Sequence, residues 1–388
     1  MMLNRKWTVA AYAAVAPALA LWLLVARHDA QQAARQRQLC GIAGNHDNRD
    51  AYEVAIKACT ELLGARNVGP EERASLHFKR GNYHLRAQEY GQAVEDFDAV
   101  LKQEPGNERA LSNRGIAYFS LGEADKAMQD LGRALQALPD NEFARTIRGT
   151  LYMQTRQPQK AAADFALAEK YKPKNPQSLT LLGAFHAANG DCEKAERFFR
   201  QAIANDARYR PAWISLGSCQ QSHGLESESL ASFARAEALG PGEDVIRGRL
   251  RTYMRMHRYD QVVAGTTLLL QRGVDADLLN QRCWFRGLWG RELDAALEDC
   301  NAALEMAPQS AAVLDSRGLI QYRLGRYLAA KADYDAALKI APDKPASHYM
   351  RGLTRLKLSE DGGRQEVDDA IRAQPAMAED FARNGLAP

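Results

Sequence analysis

Six cysteines, eight histidines and a large stock of carboxylates and guanidinium groups are the residues in this sequence that could do chemistry. Thiols can pair as disulfides, bind soft metals or act as nucleophiles, and histidines can move protons or ligate metals. Each of these uses has a spacing signature. No two histidines have the H-E-x-x-H arrangement of a zinc helix, no glycine-rich phosphate loop occurs, and no serine lies in a G-x-S-x-G turn. His77, His84, His186 and His348 are scattered through the chain and read as core or surface side chains. The many Asp and Glu are explained by solvated helix faces, so no pair stands out as a general acid and base. The expectation is therefore a protein that is not an enzyme, with no metal and no cofactor. What remains is pairwise: the cysteines Cys40, Cys59, Cys192, Cys219, Cys283 and Cys300, and four Arg/Asp couples, each 16 residues apart. Those couples are Arg80 with Asp96, Arg114 with Asp130, Arg148 with Asp164, and Arg317 with Asp333.

A repeating framework must position these pairs. Gly81, Gly115, Gly149, Gly183 and Gly217 are 34 residues apart, and Ala93, Ala127, Ala161 and Ala195 recur in the same register. So do Phe97, Leu131, Phe165, Phe199 and Phe233, while Pro105, Pro139, Pro173 and Pro241 close their units. A period of this length means an array of supersecondary units. Apolar residues at helical spacing, a short turn and a closing Pro make each unit two helices packed as a hairpin. The small Gly and Ala belong where the two helices cross closely, and the large residue four positions after the Ala fills the space between hairpins.

These residues resemble the tetratricopeptide repeat family, whose pattern has a large residue at unit position 4, Gly or Ala at 8, Tyr at 11, Ala at 20, an aromatic at 24, Ala at 27 and Pro at 32. In that register the units begin at Ala74, Glu108, Glu142, Pro176, Arg210, Glu243, Asp277, Ala311 and Pro345. The resemblance implies an all-α fold, a right-handed superhelical solenoid of helix-turn-helix repeats over residues 51–378. Residues 28–50 then form a linker and the start of a truncated first hairpin, and residues 379–388 a C-terminal tail. Two units depart from the pattern: Leu250 and Val262 replace the usual Gly and Ala of the sixth, and Trp284 takes the Gly position of the seventh. The second helix of the last unit, with Glu366, Asp368 and Asp369, reads as a polar cap.

In this family the ligand usually lies on the face made by the first helices, at unit positions 2, 5, 9, 12 and 13. Those positions here include Phe78, Asn82, Ile116, Phe119, Phe143 and Met153, then Phe285, Leu288, Trp289, Tyr322, Tyr349 and Leu353. They are candidate contacts for a protein or peptide, with packing between adjacent helices as the alternative use. A family variant that clamps a C-terminal carboxylate is excluded. Asn82 and Asn113 match it, but Phe78, Phe143 and Ile147 stand where its cations would be. No small-molecule substrate is implied. Nucleic acid is not favoured either, because 51 basic residues against 48 acidic ones leave a net charge of only +3 with no long run of one sign.

In an antiparallel hairpin, residues whose unit positions add to a constant face each other. Cys283 and Cys300 sum to 31 and Cys40 and Cys59 to 29, while Cys192 opens a helix beside which the end carrying Cys219 packs, so three disulfides are expected. Small buried cysteines are the alternative. The Arg/Asp couples occupy positions 7 and 23, summing to 30, and should meet as bidentate ion pairs. Cys283 with Asp299, Arg249 with Gly265 and Arg351 with Val367 break that rule.

Trp7 to Ala26 is apolar and uncharged for 20 residues behind Arg5 and Lys6, long enough to span a bilayer. The alternative is a secretory signal, since Ala18-Leu19-Ala20 has the form of a cleavage site, although the apolar run continues past it. Residues 1–27 are therefore an N-terminal membrane anchor or signal segment. With the cysteines, this predicts a scaffold for protein interaction in the cell envelope, its repeats outside the cytoplasm (periplasmic) or exported after signal cleavage. An adaptor or regulatory subunit of an envelope enzyme is the alternative.

Overall fold

The computed structural model describes residues 27, 30–41, 49–65 and 67–388. The apolar segment from Trp7 to Ala26 lies outside the described residues. Within them, no helix is long and apolar enough to cross a membrane. The regular elements described are all helices, grouped in two compact units, Met1–Asn189 and Gly190–Pro388.

The first unit contains helical residues 30–41 (α1), α2 (Arg49–Gly64), α3 (Pro70–Arg86), α4 (Tyr90–Gln103), α5 (Glu108–Ser120), α6 (Ala124–Ala137), α7 (Glu142–Gln154), α8 (Pro158–Lys170) and α9 (Pro176–Ala188). The second contains α10 (Cys192–Asn205), α11 (Arg210–Ser222), α12 (Glu226–Leu239), α13 (Glu243–Arg255), α14 (Tyr259–Leu270), α15 (Ala276–Trp289), α16 (Leu293–Met306), α17 (Ala311–Arg323), α18 (Tyr327–Ile340), α19 (Pro345–Lys357), α20 (Gly363–Ala373) and α21 (Pro375–Arg383). Local chemistry starts many of the first helices of the hairpins: the Asn107, Asn141, Asp275 and Ser310 side chains each accept a hydrogen bond from the main-chain N–H three residues on. Within hairpins the turn passes through a left-handed residue, Gly122 at φ +78° in one and Gln88 at φ +64° in another.

The hairpins close where a glycine on the first helix meets a large residue on the second. A Cβ on Gly81 would lie 3.0 Å from the Phe97 ring, one on Gly149 3.1 Å from Phe165, and one on Gly318 2.8 Å from Tyr334. The alanines Ala93, Ala127, Ala161 and Ala195 are fully buried. In the degenerate sixth unit the partners are exchanged, since a Cβ on Gly265 of the second helix would lie 2.7 Å from Leu250 of the first. The seventh unit corrects the sequence register. Helix α15 is one residue longer than α5 or α17, so Cys283, not Trp284, occupies the crossing, where it is bonded to Cys300.

All four Arg/Asp couples meet as forks, and the longer α15 brings in a fifth, Arg282 with Asp299. Each is made of two parallel bonds of 2.6–3.0 Å from Nε and Nη2. The exception read at Cys283 thus came from the register. Arg351 likewise bonds Glu366 rather than facing Val367, because the last hairpin is offset by one residue. Only Arg249 lacks an acid on its own hairpin and turns instead to Glu237 and the Tyr253 hydroxyl. The remaining guanidinium nitrogen, Nη1, reaches the preceding hairpin: Thr60 from Arg80, Asp98 from Arg114, Thr267 from Arg282, Asn301 from Arg317 and Asp335 from Arg351. Arg148 has Gly132 at the equivalent place, so it makes no such bond to the preceding hairpin among the described residues.

These aspartates are buried, so removing Asp130 alone takes both fork bonds from the half-buried Arg114 and leaves it only the exposed Asp98. Asp130→Ala should cost about 3 kcal/mol and Arg114→Ala with Asp130→Ala together distinctly less than the sum of the single changes. Urea unfolding of the four proteins of the cycle measures this coupling, and a coupling near zero would reject it. Tyr334 offers the opposite sign. Its hydroxyl is fully buried and has no hydrogen-bond partner among the described residues, at a position where other units carry Phe. Tyr334→Phe should therefore raise stability by about 1 kcal/mol, read as an upward shift in Tm.

Candidate functional site

Five of the candidate contact residues in the first unit lie half-buried on α3, α5 and α7. Phe78 packs edge-on against Phe97 with centroids 5.9 Å apart and carries Arg109 over its face, and the Asn113 side-chain amide donates to Asn82 Oδ1 at 2.6 Å. Phe119 and Phe143 lean on one apolar cluster, and Met153 is half-buried near the end of α7. Ile116 belongs to the core rather than to the surface, because its side chain is buried in that cluster with Leu131 and Ile147.

On α15, α17 and α19 of the second unit the corresponding face is covered by the chain itself. Helix α21 and the residues after it turn back over α19, α17 and α15, so the C-terminal tail from residue 379 is packed. Met377, Phe381 and Leu386 share a buried cluster with Tyr349 and Leu353, with Trp284, Leu288 and Tyr322 packed against it. The Phe381 ring stacks on Tyr349 at 5.3 Å and meets Trp284 edge-on at 6.3 Å. The Tyr349 hydroxyl donates to the Leu386 carbonyl at 2.9 Å, and Arg323 donates to the Asn384 carbonyl. Further along, Asn384 donates to the Tyr259 hydroxyl at 3.3 Å, and Arg383 lies 3.3 Å from His257. Tyr349 and Leu353 are thus buried beneath the tail and not exposed.

The end of α21 is built to place its last anchor. Leu386 N–H donates to Phe381 C=O at 3.0 Å and Gly385 N–H to Ala382 C=O at 2.9 Å, with Gly385 left-handed at φ +70°. This double closure brings Leu386 back onto the face of Phe381. The same one-residue shift of α15 explains why Trp284, not Trp289, faces the segment. Trp289 sits at the helix end beside Arg291, and Phe285 turns toward Tyr259 at 5.8 Å. Arg323 stands at unit position 13, one of the facing positions, but a search for large apolar residues passes over it. Met377 and Phe381, four apart just after Pro375, were the available signal for α21.

The sequence model of one family, described as tetratricopeptide repeat, matches residues 78–142, 148–210, 186–244, 290–345 and 316–378, well over half of the chain. The chain belongs to the tetratricopeptide repeat family. No curated protein matches it. Among solved structures it is similar to a human IFIT1 dimer with m7Gppp-AAAA, at 14% identity and a TM-score of 0.52 over 83% of this chain and 76% of that one. It is also similar to a tetratricopeptide repeat protein from Parabacteroides merdae ATCC 43184, at 18% identity and a TM-score of 0.42 over 64% of this chain and 98% of that one. Identities this low speak to the all-α repeat fold alone.

His77, His84, His186 and His348 of this tetratricopeptide repeat protein each lie against a carboxylate of its framework. His77 lies 2.8 Å from Asp96, His84 2.6 Å from Glu89 and His186 2.5 Å from Glu169. His348 and three arginine contacts surround Glu366, whose carboxyl is pushed up by burial but held below its ordinary value overall by Arg351, His348 and Arg355. Cys40 and Cys59 are bonded with Cα atoms 5.1 Å apart, and Cys283 and Cys300 with Cα atoms 5.7 Å apart. The third pairing is corrected: Cys192 and Cys219 are buried free thiols. Cys219 Sγ–H donates to the Cys192 carbonyl at 3.4 Å. Burial, then the adjoining Cys192 thiol, pushes Cys219 up to about 12, so the thiolate that disulfide exchange requires is suppressed.

Thiol accounting checks this arrangement. Native protein should resist alkylation at pH 8, and unfolded, unreduced protein should take two labels, at Cys192 and Cys219. Reduction before labelling should raise the number to six. Opening the Cys283–Cys300 bond by paired Ser substitution should cost about 3 kcal/mol, and labelling of all six sites without reduction would refute both bonds.

Proposed function

We propose that this tetratricopeptide repeat protein is an exported or membrane-anchored scaffold that holds a protein partner in an oxidising envelope compartment, the segment from Trp7 to Ala26 serving as anchor or export signal. The observation that carries this reading is the pair of disulfides, one stapling the first hairpin and one replacing the Gly/aromatic crossing of the seventh. Buried disulfides of this kind persist where the cytosolic reductants do not reach. The half-buried Phe119, Phe143 and Met153 of the first unit, and the groove beneath α21 in the second, supply apolar surface for a protein ligand.

A second reading is an adaptor or regulatory subunit of an envelope enzyme. It is favoured by the occupied groove, because a binding face kept covered by its own chain suits a partner that is engaged conditionally. Crosslinking in intact cells followed by purification from membranes separates the two. Recovery of several structural or secretion components is expected for the scaffold, and a single stoichiometric hydrolase or synthase would select the adaptor. Protein found in the cytosol with all six thiols reactive would overturn both.

A further inference from the structure

We propose that the groove formed by α15, α17 and α19 is a binding site for an acidic amphipathic helix of a partner protein, and that residues 375–388 hold it as an internal stand-in. This rests on the reading of the chain as a protein-binding scaffold and names the chemistry of the ligand. The stand-in has the form of a peptide ligand: Met377, Phe381 and Leu386 are buried, while Ala376, Glu379, Asp380, Ala382 and Arg383 are exposed. A helix of nine residues is too short to persist by itself, so its order comes from the groove.

The polar part of the groove is not matched to the tail. Arg323 is half-buried, and burial lowers its pKa from the ordinary arginine value, with the neighbouring Tyr322 opposing. Its bonds go to two neutral carbonyls, that of Gly287 at 3.2 Å and that of Asn384, and no described carboxylate forms an ion pair with it. A guanidinium taken partly out of water gains more from a carboxylate than from a carbonyl. The position that would supply one is defined. A Cβ on Gly385 would have only Arg323 Nη1 within 4 Å, at 3.9 Å. The left-handed φ at that residue admits Gly, Asn and Asp most readily. The ligand that fits better than the tail therefore carries large apolar residues at the spacing of Met377, Phe381 and Leu386, and an Asp immediately before the last. It needs that ion pair, because the tail competes with the advantage of being tethered.

The test uses the full-length chain and labelled peptides with the sequence of residues 375–388, bearing Gly, Asn or Asp at position 385. Leu386→Ala, which lies beyond the last helix, and Phe381→Ala open the groove, and circular dichroism confirms that the repeats stay folded. Peptides should bind the opened chains about tenfold or more tighter than the unaltered chain, the effect of losing one buried anchor. On the opened chains the Asp peptide should bind about tenfold tighter than its isosteric Asn counterpart, and Arg323→Gln should reduce that ratio to about twofold or less. Failure of every peptide to bind either opened chain overturns the proposal. So does equal binding of the Asp and Asn peptides, or a ratio that survives Arg323→Gln. None of these readouts uses a partner from the cell, so failure here leaves the scaffold reading to its own membrane purification.

Discussion

Close approach of two helices at one small residue is the constraint on which the rest of each repeat depends. With glycine at the crossing, the facing ring or leucine lies against the backbone, and the hairpin is narrow enough for a guanidinium seven residues into the first helix to reach a carboxylate on the second. The two exceptions show that the requirement is geometric and not one of residue identity. Leu250 and Gly265 satisfy it with large and small exchanged, and Cys283 satisfies it through a covalent bond to Cys300. At the beginning of the array, Cys40 and Cys59 fasten α1 to α2, and the Tyr83 hydroxyl of α3 caps the Cys40 carbonyl at 2.9 Å.

The arginine at the crossing does two jobs because its donors are fixed in a plane. Two nitrogens close its own hairpin, and the third reaches the second helix of the hairpin before it. Stacking and hairpin closure are therefore coupled through one side chain, which is how an array of nearest-neighbour contacts gains cooperativity between repeats. Lysine, a point charge on a flexible stem, could not serve both directions at once. The arrangement is missing altogether where Leu182 and Leu216 replace the arginine, and it weakens at Arg148, opposite Gly132, and at Arg249, which has no acid on its own hairpin.

The repeat architecture and the four regular ion pairs were legible in the sequence because each was written several times over, so a fixed interval exposed them. What escaped was anything that happens once. A single extra residue in α15 moved Arg282 and Cys283 into the places assigned to their neighbours and turned Trp284, not Trp289, toward the groove. Cys192 and Cys219 are free thiols, with the Cys219 side chain turned to the Cys192 carbonyl, a side-chain orientation that spacing does not encode. The tail was missed for a different reason: its contacts span more than a hundred residues, as from Asn384 to Tyr259, and no period announces them.

That segment also explains why Tyr349 and Leu353 are buried although they stand at facing positions of the first helices. Met377 and Phe381 are one helical turn apart and point the same way, but a residue five beyond Phe381 on a continuing helix would point elsewhere. Ending the helix with a left-handed Gly385 reverses the chain and returns Leu386 to the same side, so three anchors reach one groove from a very short segment. Glycine at that place does not use the cation beside it. The chain thus seats itself by apolar contact and hydrogen bonds, and the guanidinium of Arg323, which donates to the Asn384 carbonyl, meets no described carboxylate of its own tail.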